Sequence, residues 1–590
     1  MTAVSRAGFL VALLGGLLAL WPRLADAYVL PKLLSLTAGT LLLWLGAARS
    51  PARRTALDLP FAALWAALLL SFAASSDQTI STLGMYPQAF HGLLTLALCT
   101  ALYYGTAAAA ADPDAADWVV GVMIWAAIPL AGYAVLQKIA GDPVMHLPLP
   151  GGRATSAIGS PVMLGGCLAL LLPLALHRAL DKKSAVGAAA AALLAIALLL
   201  TRARGAWLGA AAGVPLYLLW SGRLKPRAFG AVALGGALAA ALALGRGVRP
   251  YDAARLELWR SAAAGIAAHP WLGYGPDNFL IDLRAHKTEG FLRAAARTDL
   301  VQHSAHDDLL QAAVTLGVVG LAAYLWLLWA LAAELRRRLA SRARPRDAAL
   351  AAGLAGLLVA AKFNPVPVSG LALAAVAAAL AAADERAVLG RAASRAACGF
   401  AVLLCAASLA LLCRLAAADW YFNRGRGELA TAAFTDPAFK DGIDSLRRAT
   451  ELAPWRMDYV TARCDTIFRL AAIVPPDKGR EFLGKALGLA RDAERLHPND
   501  PSPHELAATA LMLEANLGAD TLREAQAEIL RASALDPSSM FTLQRRLELA
   551  EALRDRPDFD RASALYRRVL ELTGQSAAWA RLLRPSSPRR

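Results

Sequence analysis

His303-Ser304-Ala305-His306-Asp307-Asp308 leads into residues 309–333, LLQAAVTLGVVGLAAYLWLLWALAA, a run without one charged side chain. About 20 apolar residues at ~1.5 Å rise each cross a bilayer, so 309–333 reads as a membrane helix with two imidazoles and two carboxylates at its mouth. Ionisable groups at such a boundary are costly to desolvate and mark function by default. Similar apolar segments recur at 8–24, 28–48, 57–75, 90–110, 117–140, 162–178, 184–201, 205–221, 228–245, 348–363, 366–383 and 396–418. The expected fold is all-α: a polytopic bundle of about 12–13 transmembrane helices, followed by a soluble α-helical domain.

Composition agrees. The 590 residues are 57% hydrophobic and only 18% charged, with a mean hydropathy of +0.44. The net charge of +16 invites a nucleic-acid reading. Much of the arginine excess, however, sits in short loops between apolar segments, where it sets orientation in the membrane. No nucleic-acid partner is expected. The six cysteines show no CxxC and no paired spacing, so neither a zinc site nor a disulfide framework is indicated.

With the N-terminus inside, the inner loops carry Arg49, Arg53 and Arg54; Arg178, Lys182 and Lys183; Arg223, Lys225 and Arg227; Arg336 to Arg346; and Arg386, Arg391 and Arg395. Only the loop Asp112–Asp117 is acidic. A slip by one helix would turn nearly every basic cluster outward, against the positive-inside rule. The first segment is ambiguous, since Arg6, a short apolar run and Ala25-Asp26-Ala27 also resemble a signal peptide cleaved near residue 27. Cleavage would leave the remaining topology unchanged.

This threading puts 76–89, 141–161, 202–204, 246–308, 364–366 and the C-terminal domain outside. Arginines there need another reason to exist; they are Arg23, Arg153, Arg202, Arg204 and a cluster from Arg246 to Arg297. They share a compartment with His303 and His306. The 246–308 loop is the longest connection in the membrane region, and such loops are usually functional or disordered. Asp252 is placed to cap a helix whose apolar face is Leu256, Trp259, Ala263, Ile266 and Ala267, ending at His269-Pro270 and turning through Gly273-Tyr274-Gly275-Pro276.

The domains expected are a membrane domain at 1–418, including the large outer loop 246–308, and a helical repeat domain at 420–580. In the latter, Ala449 to Pro454, Ala493 to Pro498 and Ala532 to Pro537 share the form Ala-x-x-Leu-x-Pro. This resembles the second-helix end of tetratricopeptide repeats, though at a longer and irregular period. The tail Arg584–Arg590 is expected to be disordered.

Each polar residue at the outer face has a bland reading. A histidine at a helix start can be merely interfacial, Asp307 and Asp308 can serve the helix N-terminus, and Arg204 can snorkel. Asp307, Asp308 and a histidine could bind a metal, but no second acidic cluster shares their face, so no metal or cofactor is expected. Collectively the residues fit chemistry better. Arginine grips diphosphate through its planar donor fork, and a neutral histidine is a suitable base for a hydroxyl nucleophile. With no P-loop, Rossmann fingerprint or GxSxG elbow in suitable context, a lipid-diphosphate donor fits better than a nucleotide sugar.

His306-Asp307, nine residues, then Gly317-Val318-Val319-Gly320 resembles the signature of bacterial O-antigen ligases and related polysaccharide polymerases. Arg202-Ala203-Arg204-Gly205-Ala206-Trp207-Leu208 is similar to the family's SRGAWL helix start, with Ala203 in place of Ser. Arg255-x-x-x-Trp259, then Pro270-Trp271-Leu272-Gly273-Tyr274-Gly275 through Phe279, resembles a third motif, and Arg153 through Pro161 more loosely a fourth. The motifs keep family order across about 60–385. Where the family usually has Asn, Ser or Gln after the histidine, this chain has Asp307.

The resemblance implies a metal-independent, inverting glycosyl transfer from undecaprenyl diphosphate at the periplasmic face of the bacterial inner membrane. It gives His306 the role of orienting or deprotonating the acceptor hydroxyl, and Arg204 and Arg255 that of holding the diphosphate. Arg153, Arg202, His303 and Asp307 join as further substrate-side residues. The acceptor is a lipid, polysaccharide or protein hydroxyl, and the repeat domain is a place for a protein partner. Two other classes compete: a transporter or flippase of lipid-linked sugars, and a membrane scaffold with a repeat-domain partner site.

Overall fold

Small residues decide how the apolar helices meet. The computed structural model describes residues 1–86, 91–110, 112–230, 250–298, 303–342, 344–434 and 436–574. They form two compact units, one of 1–71, 82–247 and 306–416, the other of 72–81, 248–305 and 417–590. Twelve of the thirteen apolar segments are helices, from Ala3–Leu18 to Arg391–Thr431. The thirteenth, 228–245, lies mostly outside the described residues, as do Arg246, Arg249 and the tail. Val29–Ala47, Pro113–Ala140, Pro161–Leu180, Asp308–Ser341 and Arg391–Thr431 are long and apolar enough to cross a membrane. The chain is all-α, its only strands among the described residues being Arg53–Thr55 and Ala383–Val388, paired antiparallel. All six cysteines are free.

In the first unit, Gly205, Gly209 and Gly213 line one side of the helix Arg204–Trp220; the last two meet the helix Pro345–Ala361, and Gly205 meets Phe363 and Asn364 just past it. A Cβ added at Gly209 would sit 2.3 Å from the Gly356 carbonyl oxygen, and one at Gly213 2.8 Å from that of Ala352. Small residues at such spacing allow close backbone approach where lipid removes most of the hydrophobic drive for helix association. The same device joins the N-terminal helix to the next: a Cβ at Gly39 would lie 2.4 Å from the Ala12 amide nitrogen. Phe9, Leu13 and Leu17 are at most 1% exposed. The buried ammonium of Lys32 donates to the carbonyls of Ala19, Tyr28 and Ala157 at 2.6–2.8 Å. The segment that resembles a signal peptide is thus packed as a helix of the bundle.

The helix expected over 309–333 exists as part of Asp308–Arg342, but it is interrupted. Gly317 has φ 66° and ψ −169°, backbone open only to glycine. Across this break Gly320 closes on Leu316, where an added Cβ would lie 2.1 Å from the Leu316 Cβ. The two glycines of the motif therefore do different work, one breaking the helix and the other allowing the broken ends to pack.

The second unit begins inside a helix. The end of Arg391–Thr431, from Ala417 on, pairs with Pro437–Leu452, and its buried Asp419 accepts a 2.7 Å bond from the Tyr459 hydroxyl. Three more helix pairs follow: Met457–Ala471 with Pro476–Leu496, Pro501–Asn516 with Leu522–Leu535, and Met540–Ala552 with Arg556–Thr573. Ala449, Ala493 and Ala532, which open the three sequence motifs, are at most 1% exposed and let consecutive helices pack closely. The residue before each proline varies: Ala453, His497, Asp536. The last two hold segments from much earlier in the chain. His497 Nδ1 lies 2.6 Å from Asp77 Oδ2, and Lys287 Nζ donates to Asp536 at 2.7 Å. Arg284 pairs with Asp500 at 2.9 Å.

The helix Pro250–Ala268 ends before His269-Pro270 as expected, with Asp252 inside its first turn. Its buried face differs from the expected one. Ala254, Leu258, Ser261 and Ala262 are fully buried, whereas Leu256 is 50% exposed. Close approach again outranks bulk: Ser261 Oγ accepts from the Thr288 amide, and Gly265 lies against the Asp282 carboxylate.

Candidate functional site

The arginine-bearing turn between Ala185–Leu200 and Arg204–Trp220 is built by its own polar groups. Thr201 Oγ1 and the Trp207 indole N–H both donate to the Leu198 carbonyl, at 2.7 and 2.9 Å. The Ala203 amide donates to Thr201 Oγ1 at 3.2 Å. Arg202 takes φ 50°, a left-handed conformation that costs a non-glycine residue about 1–2 kcal/mol. Arg153 Nε donates to the Thr201 carbonyl at 2.8 Å, and the Ala154 amide to that of Leu200 at 3.2 Å. Arg153, Arg202 and Arg204 are thereby gathered at one turn, with Arg202 exposed and Arg204 half-buried. Arg153 also braces the turn.

The same end of the bundle receives the start of Asp308–Arg342. Gly205 packs on Phe363 and Asn364, just past the helix Pro345–Ala361, and the neighbouring Lys362 forms an ion pair with Asp308. Asp308 also accepts from the Tyr324 hydroxyl at 2.7 Å. His306, two residues before Asp308, is 5% exposed with φ 54°. Asp307 Oδ1 accepts the Leu310 amide at 2.8 Å, which makes it the helix cap. Asn and Ser also cap helices well, so Asp307 keeps that capacity of the residues usually found there. Lys362, Asn364 and Tyr324 escaped the sequence reading. Only Lys362, a charge at the end of an apolar helix, left a signal there.

The second unit holds Arg255, His303 and the scaffold around them. Arg255 and Trp259 lie one turn apart on Pro250–Ala268, and the Trp259 indole N–H donates to the Ala305 carbonyl at 2.8 Å. The Gly273–Phe279 motif is a clasp. Asn278 Nδ2 bonds Ser75 Oγ and Ser81 Oγ at 2.9 and 2.8 Å, and Phe279 is fully buried. His303 is half-buried, and both burial and the Arg284 guanidinium lower its pKa, which keeps it neutral at physiological pH. Asp282 is fully buried, and burial pushes its carboxyl up to about 7 against the pull of His286.

In the repeat domain, Glu494, His504 and Glu528 each bring one potential metal ligand within 4.8 Å of the others. His504 Nδ1 already bonds Glu528 at 2.7 Å, and Arg531 pairs with the other oxygen at 3.1 Å, so the cluster reads as a satisfied ion pair. At the bundle end the chemistry available is cationic and proton-accepting: three arginines and a lysine around one turn, with an imidazole at the adjoining helix start.

No curated protein matches the chain. A solved structure titled MamA MSR-1 C2 is similar over 27% of this chain and 78% of its own, at 18% identity and a TM-score of 0.20. A family model described as O-antigen ligase (Wzy_C) matches residues 189–325. The match takes in Arg202, Arg204, Arg255, His303, His306, Gly317 and Gly320, and leaves out Arg153. Residues 189–325 are thus similar to the O-antigen ligase family, within a chain of apolar membrane-type helices.

Proposed function

We propose that the chain transfers a glycan from undecaprenyl diphosphate to a hydroxyl acceptor at the periplasmic face of the inner membrane, without a metal and with inversion at the anomeric carbon. The observation that carries this reading is the meeting, at one end of the first unit, of the arginine turn 202–204 with the His306 helix start through Gly205–Asn364 and Lys362–Asp308. The O-antigen ligase match supports glycosyl transfer in polysaccharide assembly, and the basic inner loops support the outward site.

Chemically, two things are needed: removal of the acceptor's proton and stabilisation of the departing diphosphate. His306 serves as the base. Arg204 and Arg255 hold the diphosphate, where fixed positive charge is worth most as negative charge develops. Arg202 adds charge at the mouth, Arg153 braces the turn, and His303 and Asp307 shape the acceptor side. Direct displacement by the activated hydroxyl needs no covalent intermediate and so inverts the configuration.

The test is a deletion strain complemented with full-length His306→Ala. Lipid-linked glycan is expected to accumulate while membrane protein level and donor binding stay near wild type. Transfer at the wild-type rate would remove His306 as the base. The accumulating species separates ligation from polymerisation: lipid-linked polymer in the first case, single repeat units in the second.

A further inference from the structure

We infer that Tyr324 and Lys362 are positioning residues for His306, acting through the carboxylate of Asp308. This rests on the glycan-transfer reading above and assigns the two side chains a task within it. Every residue involved belongs to the first unit.

Asp308 and Tyr324 are 16 residues apart in one helical stretch, yet the Tyr324 hydroxyl donates to Asp308 Oδ2 at 2.7 Å. An unbroken helix would separate them by roughly 24 Å at ~1.5 Å per residue, far beyond the reach of the two side chains. The chain therefore folds back at Gly317, where φ 66° and ψ −169° end the first piece. The arm 308–316 lies back along the start of the longer piece that follows. Gly320 admits Leu316 at the fold, and beside it the Thr315 carbonyl accepts from the buried Ser71 hydroxyl at 2.9 Å.

At the base of the arm, two different elements hold the two oxygens of Asp308. Tyr324, on the longer piece, takes Oδ2, and the Lys362 ammonium, just past the helix Pro345–Ala361, takes Oδ1. Hydrogen bonds to a carboxylate are stronger than those between neutral groups, so this knot fixes the base of the arm well. His306 stands two residues before Asp308 at φ 54°, and a side-chain-bearing residue keeps such a strained state only where its surroundings hold it. Asp307, between the two, caps the arm through the Leu310 amide at 2.8 Å. The direction of the imidazole is thus set by where the arm is tied. Untying either partner of Asp308 lets the arm swing about Gly317 and carries the ring with it. The charge of Lys362 is already met by Asp308, which makes its task one of geometry rather than of donor binding.

The test uses the full-length protein and a lipid-linked donor. Tyr324→Phe removes only the hydroxyl, and Lys362→Met keeps the length of the side chain without its charge. In each, kcat per folded molecule is expected to fall by roughly ten- to a hundredfold, the range a misplacement of about 1 Å produces, with the donor KM unchanged. Lys362→Arg, which keeps the cation, is expected to recover most of the loss seen in Lys362→Met. A second readout needs no transfer at all. His306 is 5% exposed, and freeing the arm is expected to speed carbethoxylation of its ring by diethyl pyrocarbonate, followed by mass spectrometry of the His306 peptide. A wild-type kcat in either variant overturns the role of that residue, and unchanged ring reactivity in both overturns the inference. A raised donor KM at unchanged kcat in Lys362→Met would make Lys362 a donor ligand and overturn its positioning role. Wild-type transfer by His306→Ala would instead refute His306 as the base, a distinct outcome that leaves ring reactivity to report on the arm.

Discussion

His497 is caught between two acceptors. Its Nδ1 faces Asp77 Oδ2 at 2.6 Å and its Nε2 faces the Trp455 carbonyl at 2.8 Å, with the imidazole 4% and the Asp77 carboxylate 0% exposed. A neutral imidazole has one N–H and can satisfy one acceptor; satisfying both takes the imidazolium. Burial opposes that charge, but Asp77, the Trp455 carbonyl and Asp500 outweigh it, and the His497 pKa is raised. Asp500 is itself held by Arg284, which tempers its pull on the ring. Because the folded pKa lies above the unfolded value of about 6.5, this stabilisation is complete below that value and is lost as pH rises through the folded pKa.

Removing one partner of such a buried pair costs about 3–5 kcal/mol, since the other charge stays behind uncompensated. His497→Ala should therefore weaken the hold of the repeat turn on 72–81 by roughly two to nearly four powers of ten in the local opening equilibrium. Hydrogen exchange on the purified full-length protein, corrected for intrinsic rates, reads this directly at the amides of Ile80 and Ser81. Wild type should lose protection there between about pH 6.5 and alkaline pH, while the interior of Pro501–Asn516 keeps its own. Asp77→Asn retains an oxygen to cap the Ile80 amide, which Asp77 now does at 2.9 Å, but removes the charge; its loss of protection should move to lower pH. Protection in wild type that does not change with pH, or His497→Ala protected like wild type, would refute the reasoning.

Other substitutions follow from backbone geometry. Gly317→Ala puts a side chain at φ 66°, ψ −169°, at a cost of about 1–3 kcal/mol, so glycan transfer should collapse with only a modest fall in membrane protein level. Gly209→Leu drives a side chain at the Gly356 carbonyl, whereas Gly132→Ala meets nothing within 4 Å; thermal unfolding in detergent should show a large drop for the first and none for the second. Asp307→Ala removes the cap at about 1 kcal/mol, while Asp307→Asn preserves it. Transfer should accordingly fall in the first and stay near wild type in the second, and equal losses in both would give the Asp307 charge a chemical role.

Where sequence was readable, a strong local constraint explains why. A bilayer demands runs of about 20 apolar residues, and twelve such runs lie on helices, although Asp308–Arg342 and Arg391–Thr431 extend well past the expected ends and the first helix stops at Leu18, short of residue 24. The repeat motif was readable because each Ala-x-x-Leu-x-Pro closes a helix, its alanine buried and its proline unable to continue. Three features were hidden because they depend on partners distant in the chain. Gly317 in an apolar period passes as a tolerated helical glycine, and only its broken backbone shows why Gly320 must follow. The helix Pro250–Ala268 shows its larger apolar residues to a periodicity search, yet it buries Ala254, Ser261 and Gly265, because the partner helices 279–286 and 289–295 come close. The varying residue before each repeat proline looks like tolerance in the sequence. At His497 it is instead a contact, reaching across 420 residues to Asp77. The candidate polar residues stand out in the sequence because charge between apolar runs is scarce. What each one holds, from the Leu310 amide for Asp307 to the Thr201 carbonyl for Arg153, is set by pairings that no window of sequence contains.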